Sequence, residues 1–123
     1  MQARLAHTMI RVRDLDASIA FYSGFLGLKE VRRSHFGEEC TLVFLADDAE
    51  SYHIELTCNH DGRDYELGTQ FGHLAFYVDD LDAVIATVEA NGWWFRGNRP
   101  EAGSRYIFVK DPDGYEIEIL QAK

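Results

Sequence analysis

Two histidines and two glutamates recur at matching places in the two halves of the chain, and together they could bind a metal ion. His7 begins the run HTMIRVRDLDASIA and His73 begins HLAFYVDDLDAVIA, and eight positions recur unchanged sixty-six residues later. Each half also contains a strand-like run with a central carboxylate, Glu55 in YHIEL and Glu118 in YEIEI. Two imidazoles and two carboxylates suit a first-row divalent ion whose shell is completed by water. The sequence therefore predicts a duplicated unit that supplies a metal site.

The same residue types also have an ordinary explanation, as strand histidines and exposed strand glutamates. For one histidine and one glutamate alone, that explanation would be preferred. The metal site is favoured here because the same two residue types recur at matching positions of both repeats. His53 and Glu116 are rival ligands because each lies two residues before a candidate glutamate, on the same strand face. Only the central glutamate matches between the repeats, so Glu55 and Glu118 are preferred. Structural zinc is disfavoured because such sites are usually four-coordinate and rich in sulfur.

Hydrophobic periodicity predicts the elements that position these ligands. The first half reads as a strand at 4–13, a helix capped by Asp14 or Asp16 and ended by Gly27, and strands at 28–36, 40–46 and 52–58. The second half reads as a strand at 73–79, a helix from Asp80 to Asn91, and strands at 93–97, 104–110 and 115–120. The predicted fold is α+β, two βαβββ modules forming a curved mixed sheet whose polar face becomes a cup.

Length and composition set the predicted domain organisation. With 123 residues and 46% hydrophobic content, the chain can form one compact domain with a real core. The prediction is a single domain over 1–123, with module one at 1–58, a linker at about 59–72 and module two at 73–123.

Charge and cysteine content bear on partners and compartment. The net charge of −9 argues against nucleic acid or an anionic membrane as the main partner. Cys40 and Cys58 lie eighteen residues apart without a Cys-x-x-Cys motif, which is typical of free thiols in a reducing compartment. The chain shows no leader pattern at its start and no apolar run long enough to span a bilayer. A cytoplasmic protein that binds neither nucleic acid nor membrane is expected.

Five segments together cover nearly the whole chain: HTMIRV, FYSGFLGLKEVRR, IELTCN, YELGTQFGHLAFYVDD and KDPDGYEIEIL. With these segments the chain resembles glyoxalase I, the lactoylglutathione lyases of the vicinal oxygen chelate superfamily. The most specific pieces are YELG-x-x-xGH, which ends at His73, and DPDGYxIE, which ends at Glu118. The resemblance implies the fold of two βαβββ modules and the metal ligands His7, Glu55, His73 and Glu118.

The resemblance also implies a reaction. The hemithioacetal of methylglyoxal and glutathione would be isomerised to S-lactoylglutathione through an enediolate, with a divalent metal stabilising the developing charge. Glu118 is the expected base, and Glu55 would serve the other face of the enediolate. The compact form of the family favours nickel or cobalt, and zinc remains possible. The family builds its sites at a homodimer interface, with one His and one Glu from each chain, so a homodimer is expected here.

Substrate contacts follow partly from strand faces and partly from the resemblance. Arg11 lies four residues after His7, and Asn59 four after Glu55, so both side chains could line the same cavity near its rim. Such groups suit an anionic, peptide-like ligand, and the family uses matching residues for glutathione. The segment 98–105 is shorter than the family loop that brings a basic residue to the glycyl carboxylate. Arg99 or Arg105 is expected to substitute, or the thiol differs.

Other functions remain as alternatives. A thiol transferase acting on an antibiotic epoxide would not need a carboxylate at Glu55. An acyl-coenzyme A epimerase would need a basic cluster for phosphates, which the sequence lacks, and an extradiol dioxygenase is usually longer. A metal-free binding protein of this fold would use an aromatic cleft, for which Trp93 and Trp94 are candidates. Metal binding separates this last alternative from all the enzymes.

Overall fold

The computed structural model describes residues 1–97 and 105–123. Over these residues the chain forms two compact units, Met1–Glu66 and Leu67–Lys123, and the division falls inside the segment predicted as the linker. That the two units make a single domain stays a prediction. No helix in the described part of the chain is long and apolar enough to cross a membrane.

Each unit is a βαβββ module with its own mixed four-stranded sheet. The first contains β1 (His7–Arg11), α1 (Leu15–Ile19), β2 (Lys29–Phe36), β3 (Cys40–Ala46) and β4 (His53–Asn59), and its strands lie in the order β1-β4-β3-β2. The second contains β5 (Leu74–Val78), α2 (Leu81–Ala90), β6 (Phe95–Gly97), β7 (Tyr106–Lys110) and β8 (Glu116–Gln121), in the order β5-β8-β7-β6. The predicted fold class and element order are confirmed.

Both helices begin at the repeated aspartate. The Asp14 carboxylate accepts a hydrogen bond from the Ala17 backbone N–H at 3.1 Å, and Asp80 accepts from Ala83 at the same distance. Each bond satisfies one of the free N–H groups at a helix start, which is why Asp is favoured there. Of the two caps proposed for the first helix, the structure uses Asp14.

The first helix changes geometry after Ile19, which the sequence did not predict. Ala20–Phe25 is π-helical, and the Leu26 N–H bonds to the Phe21 carbonyl, five residues back. The apolar positions Leu15, Ile19, Tyr22 and Leu26 fit α-helical spacing, so the sequence pattern gave no sign of this wider turn. In this arrangement Tyr22 is completely buried.

One of the two inner strands of each sheet, β4 or β8, carries core residues as well as the candidate glutamate. Leu56 of β4 and both Ile117 and Ile119 of β8 are fully buried. Because side chains alternate along a strand, these residues anchor one face while Glu55 and Glu118 occupy the other. Burial of the apolar face thus fixes where each glutamate points.

A tight turn sets the start of β8. The buried Asp111 carboxylate accepts hydrogen bonds from the backbone N–H groups of Asp113 and Tyr115, each at 2.9 Å. The Asp111 N–H also donates to the Tyr115 carbonyl at 3.0 Å. These bonds close the DPDG turn that the sequence predicts and hold the chain in register three residues before Glu118.

Candidate metal centre

The first candidate pair lies across two parallel neighbouring strands. In the register of β1 and β4, Met9 is directly opposite Glu55. His7 is two residues before Met9 and therefore shares its face, so it approaches Glu55 diagonally. The distance from His7 Nε2 to Glu55 Oε1 is 3.2 Å. The structure thus brings together the two predicted ligands of the first module.

The second pair repeats this geometry in the second unit. Ala75 of β5 lies opposite Glu118 of β8, and His73 is two residues before Ala75. His73 Nε2 is 3.2 Å from Glu118 Oε1. The same diagonal step across a parallel pair therefore generates both His–Glu pairs.

The donor chemistry of each pair fits a divalent metal, but each supplies only two ligands. The histidine side chains are 43% and 38% exposed, so their ring nitrogens are accessible from solvent. Imidazole nitrogen with carboxylate oxygen suits nickel, cobalt, zinc or iron. Among the residues described, no group of three or more His, Cys, Asp or Glu side chains could hold a metal ion. A full ligand set therefore requires more than one pair.

The two glutamates differ in how firmly they are held. Glu55 also accepts a hydrogen bond from the Thr57 hydroxyl at 2.7 Å, and its side chain is 12% exposed. The Glu118 side chain is 19% exposed, and the residue two positions later is Leu120, which has no donor. The pairs are thus alike in geometry, but only Glu55 has a hydroxyl anchor on its own strand.

A phenylalanine packs against each candidate histidine, which the sequence analysis missed. Phe44 lies opposite Glu55 on β3, and its ring meets the His7 ring edge to face at 5.7 Å between centroids. Phe108 lies opposite Glu118 on β7 and meets His73 in the same way at 4.8 Å. The strands that precede β4 and β8 carry VFL in the first half and IFV in the second. A comparison of these two strands would have revealed both phenylalanines.

The rival ligands have other neighbours in the structure. His53 is the register partner of His7, and its ring centroid lies 6.3 Å from that of Phe44. The Glu116 carboxylate lies 4.0 Å from the Arg96 guanidinium. Neither contact joins a candidate His–Glu pair.

The predicted substrate contacts Arg11 and Asn59 are related by the same diagonal step. Arg11 lies opposite Thr57, and Asn59 is two residues further along β4. The Asn59 side-chain amide donates a hydrogen bond to the Tyr65 hydroxyl at 2.7 Å. The two residues thus lie at the end of the strands away from His7, and their role as substrate contacts stays a prediction.

Within the first unit, the segment after β4 is held in place by Arg13. Its guanidinium donates to the Asp64 carboxylate at 2.7 Å and to the Tyr65 carbonyl at 2.6 Å. The hydrogen bond from Arg13 holds the pKa of Asp64 below its usual value. These contacts place the Tyr65 hydroxyl beside Asn59.

The two arginines proposed for the glycyl carboxylate have different outcomes. The half-exposed Arg105 side chain donates to the Asp82 carboxylate at 2.7 Å, near the start of α2. Arg99 lies outside the described residues. Both assignments stay predictions.

Comparison with known proteins identifies the family. A sequence model of the Glyoxalase/Bleomycin resistance protein/Dioxygenase superfamily matches residues 4–119. The lactoylglutathione lyase of Haemophilus influenzae is 45% identical over 98% of this chain and 93% of its own. The probable lactoylglutathione lyase of Vibrio parahaemolyticus is 44% identical over 98% and 91%. Among solved structures, the trypanothione-dependent glyoxalase I of Leishmania major gives a TM-score of 0.83 at 38% identity, covering 98% of this chain and 87% of that chain.

The Thr57 anchor can be tested by stability. Thr57→Val keeps the side-chain shape but leaves the buried Glu55 carboxylate without its hydroxyl donor, so the free energy of unfolding should fall by about 1–3 kcal/mol. Urea unfolding of the metal-free protein measures this change. In a Glu55→Leu background the same substitution should cost almost nothing, because the acceptor is gone. Equal losses in both backgrounds would contradict the anchor.

Proposed function

The chain belongs to the Glyoxalase/Bleomycin resistance protein/Dioxygenase superfamily, and from this premise we propose that it is a lactoylglutathione lyase. Its substrate would be the hemithioacetal formed from methylglyoxal and glutathione, and its product S-lactoylglutathione. The observation that carries the proposal is the His–Glu pair repeated in both units at the same 3.2 Å separation. Relatives named lactoylglutathione lyase, at 41–45% identity over nearly the full chain, support it.

We assign His7, Glu55, His73 and Glu118 as the ligands of a divalent metal. Nickel or cobalt is favoured, and zinc is the alternative, because nitrogen and carboxylate donors accept all three ions. The bound ion would act as a Lewis acid that polarises the substrate oxygens and lowers the cost of removing the neighbouring C–H proton.

Each unit holds two of the four ligands, so we propose that a second copy of the chain completes each site. A His–Glu pair from each of two copies would give a homodimer with two equivalent sites. A small-molecule substrate, glutathione as cosubstrate and a cytoplasmic location are part of the same proposal.

The reaction itself is an internal redox isomerisation that needs no external oxidant. A base removes the proton from the carbon that bears sulfur and hydroxyl, and that carbon becomes the thioester carbonyl. That proton is delivered to the adjacent carbon. The hydroxyl proton of the first carbon passes to the oxygen of the adjacent carbon, so the first oxygen becomes the carbonyl and the second becomes the hydroxyl of the product. The protein must therefore supply one carboxylate that can accept a proton and release it on a neighbouring atom.

Glu118 is better suited than Glu55 to carry the proton. A carboxylate that moves between two carbons must be able to change its position slightly, and the Thr57 hydroxyl restricts Glu55. Within the described residues, the hydrogen-bond partner of the Glu118 carboxylate is the His73 ring nitrogen at 3.2 Å, and no hydroxyl group holds this carboxylate. We therefore assign Glu118 as the base and Glu55 as the carboxylate on the opposite face of the substrate.

Arg11 and Asn59 would bind the peptide part of the thiol. The side-chain NH₂ group of Asn59 donates to the Tyr65 hydroxyl, so the side-chain oxygen of Asn59 can accept a hydrogen bond from an ammonium group of the ligand. The Arg11 guanidinium can bind a carboxylate of the ligand. Such a combination suits an amino-acid end of glutathione. Arg99 and Arg105 are proposed for the carboxylate at its other end.

Metal reconstitution tests the function directly. Metal-stripped protein should be inactive on preformed methylglyoxal–glutathione hemithioacetal and should form thioester, measured by ultraviolet absorbance, when nickel or cobalt is added. Restoration by zinc alone would overturn the metal assignment and leave the lyase intact. Stoichiometric metal binding without thioester formation would overturn the lyase assignment.

The base assignment predicts a large loss of turnover in Glu118→Gln. A carboxamide can still ligate a metal but cannot accept the proton, so kcat should fall by about 10²- to 10⁴-fold while bound metal is retained. Glu116→Gln, on the same strand face, is the matched control and should change kcat by less than about threefold. Comparable kcat in the Glu118 variant and the wild type would refute the assignment.

The thiol-binding role predicts a KM effect in Arg11→Ala. Losing a charge-assisted hydrogen bond costs about 1.5–3 kcal/mol, which corresponds to roughly a 10- to 100-fold rise in KM with kcat nearly preserved. Arg33→Ala removes an exposed arginine of the same unit that pairs with Glu30, and should leave KM within about twofold. If both variants gave the same KM, Arg11 would have no role in thiol binding.

A further inference from the structure

Two histidines outside the candidate metal centre converge on one threonine hydroxyl. The His35 Nδ1 atom lies 3.1 Å from Thr41 Oγ1, and the His60 Nε2 atom lies 2.9 Å from the same oxygen. The sum of these distances sets about 6 Å as the largest separation of the two ring nitrogens. Two imidazole nitrogens directed at one point can bind a first-row divalent ion.

Backbone pairing within the first unit brings these three residues together. His35 of β2 lies directly opposite Thr41 of β3. His60 follows β4, and its backbone N–H donates to the carbonyl of Glu39, in the turn between β2 and β3, at 2.8 Å. Because strand register and this hydrogen bond already fix the backbone of all three residues, little further ordering is needed before an ion binds.

A hydrogen bond to a carbonyl determines which nitrogen of His60 is available. The His60 Nδ1 atom lies 3.1 Å from the Glu38 carbonyl oxygen, which can only accept, so Nδ1 carries the hydrogen. In the neutral ring the lone pair is then on Nε2, the nitrogen that faces Thr41. Histidines that ligate metals commonly donate their other N–H to a carbonyl or carboxylate, because that bond fixes the ring and makes the ligating nitrogen more basic.

The charge around His60 favours a cation over an anion. His60 lines a cleft of about 340 Å³ together with Glu38, Glu39 and Asp61. Arg63 also lines this cleft, but it forms an ion pair with Asp61, and its hydrogen bond lowers the pKa of Asp61 to about 2. The two glutamates therefore give the cleft a net negative charge, which raises the local concentration of cations.

We propose that His35 and His60 form a second divalent-metal site, separate from the His–Glu pairs, for a late first-row ion such as zinc(II) or copper(II). Imidazole nitrogen favours these ions over magnesium and calcium, which prefer oxygen ligands. Bonds of about 2.0–2.1 Å to an ion between the rings require only small side-chain rotations, and water with the Thr41 hydroxyl can complete the shell. This site does not depend on the proposed lyase function.

An ion held by these two rings would join separate elements of the first unit. It would link the β2–β3 hairpin to the segment after β4, next to Asn59. Because such an ion binds the folded chain, it stabilises the folded state by mass action. Only two protein nitrogens hold it, so it would exchange with solvent more readily than an ion bound by four protein ligands.

Zinc titration followed by NMR locates the ion. Zinc(II) is added in increasing amounts to the full chain after metal removal, and the ring nitrogen signals of the five histidines are followed. The His60 Nε2 and His35 Nδ1 signals should shift together. His60→Ala should weaken zinc binding at the His35 ring by at least about 10-fold, and His35→Ala should do the same at the His60 ring.

His53→Ala is the matched control for this titration. It removes another imidazole of the same unit, and it should leave the zinc response of His35 and His60 unchanged. If neither ring responded to zinc in the wild type, or if each ring responded equally well without the other, the proposed site would be refuted.

Thermal unfolding tests whether the ion stabilises the fold. Excess zinc should raise the Tm of the wild type by about 5 °C more than the Tm of a His60 variant. His60→Gln is the preferred variant here, because its amide keeps hydrogen-bonding groups near Thr41 and the Glu38 carbonyl while the imidazole ligand is lost. An equal Tm gain in His60→Gln and the wild type would contradict the link between hairpin and segment.

Failure of this site and failure of the lyase assignment give different results. Zinc shifts at His35 and His60, without thioester formation in the presence of any metal, would confirm the second site and overturn the lyase. Thioester formation by a chain whose His35 and His60 signals ignore zinc would overturn the second site and leave the lyase assignment standing.

Discussion

The parallel pairing of the first and last strands in each unit is the constraint on which the candidate site depends. Placing Met9 opposite Glu55, and Ala75 opposite Glu118, puts each histidine one diagonal step from its glutamate. A register slip of one residue would turn the glutamate to the opposite face. The fully buried Leu56, Ile117 and Ile119 side chains oppose such a slip, so the apolar core on one face positions the His–Glu pairs on the other.

From each glutamate, a row of side chains crosses the rest of the sheet. The glutamate is followed by a phenylalanine on the next strand and an arginine on the strand after that. The phenylalanine touches both the histidine and the arginine, so the ring that limits histidine rotation also orients a cation. The histidine and the arginine therefore share one support, and a change in the phenylalanine would affect the positions of both.

The sequence predicted the modules, the faces of the strands and both His–Glu pairs, because these follow from a period of two and from the exact repetition of the motif. It did not predict contacts that depend on how antiparallel strands align. Arg32 reaches Phe44 only because the register between β2 and β3 shifts between Glu30 and Arg32, and no local residue pattern announced that irregularity. The Thr57 anchor was missed because a threonine on a strand has an ordinary explanation in β propensity. The π-helical turn was not predicted either, because the apolar spacing of this segment is compatible with an α-helix.

The shared row also bears on how the chain arose and diverged. A half-length precursor carrying one histidine, glutamate, phenylalanine and arginine in this arrangement would need only to pair with itself to present two such sets. The two halves now differ at positions next to the glutamates. Thr57 in the first half stands where the second has Leu120, and Glu116 in the second stands where the first has His53. A duplicated scaffold can thus give two glutamates in equivalent places unequal surroundings.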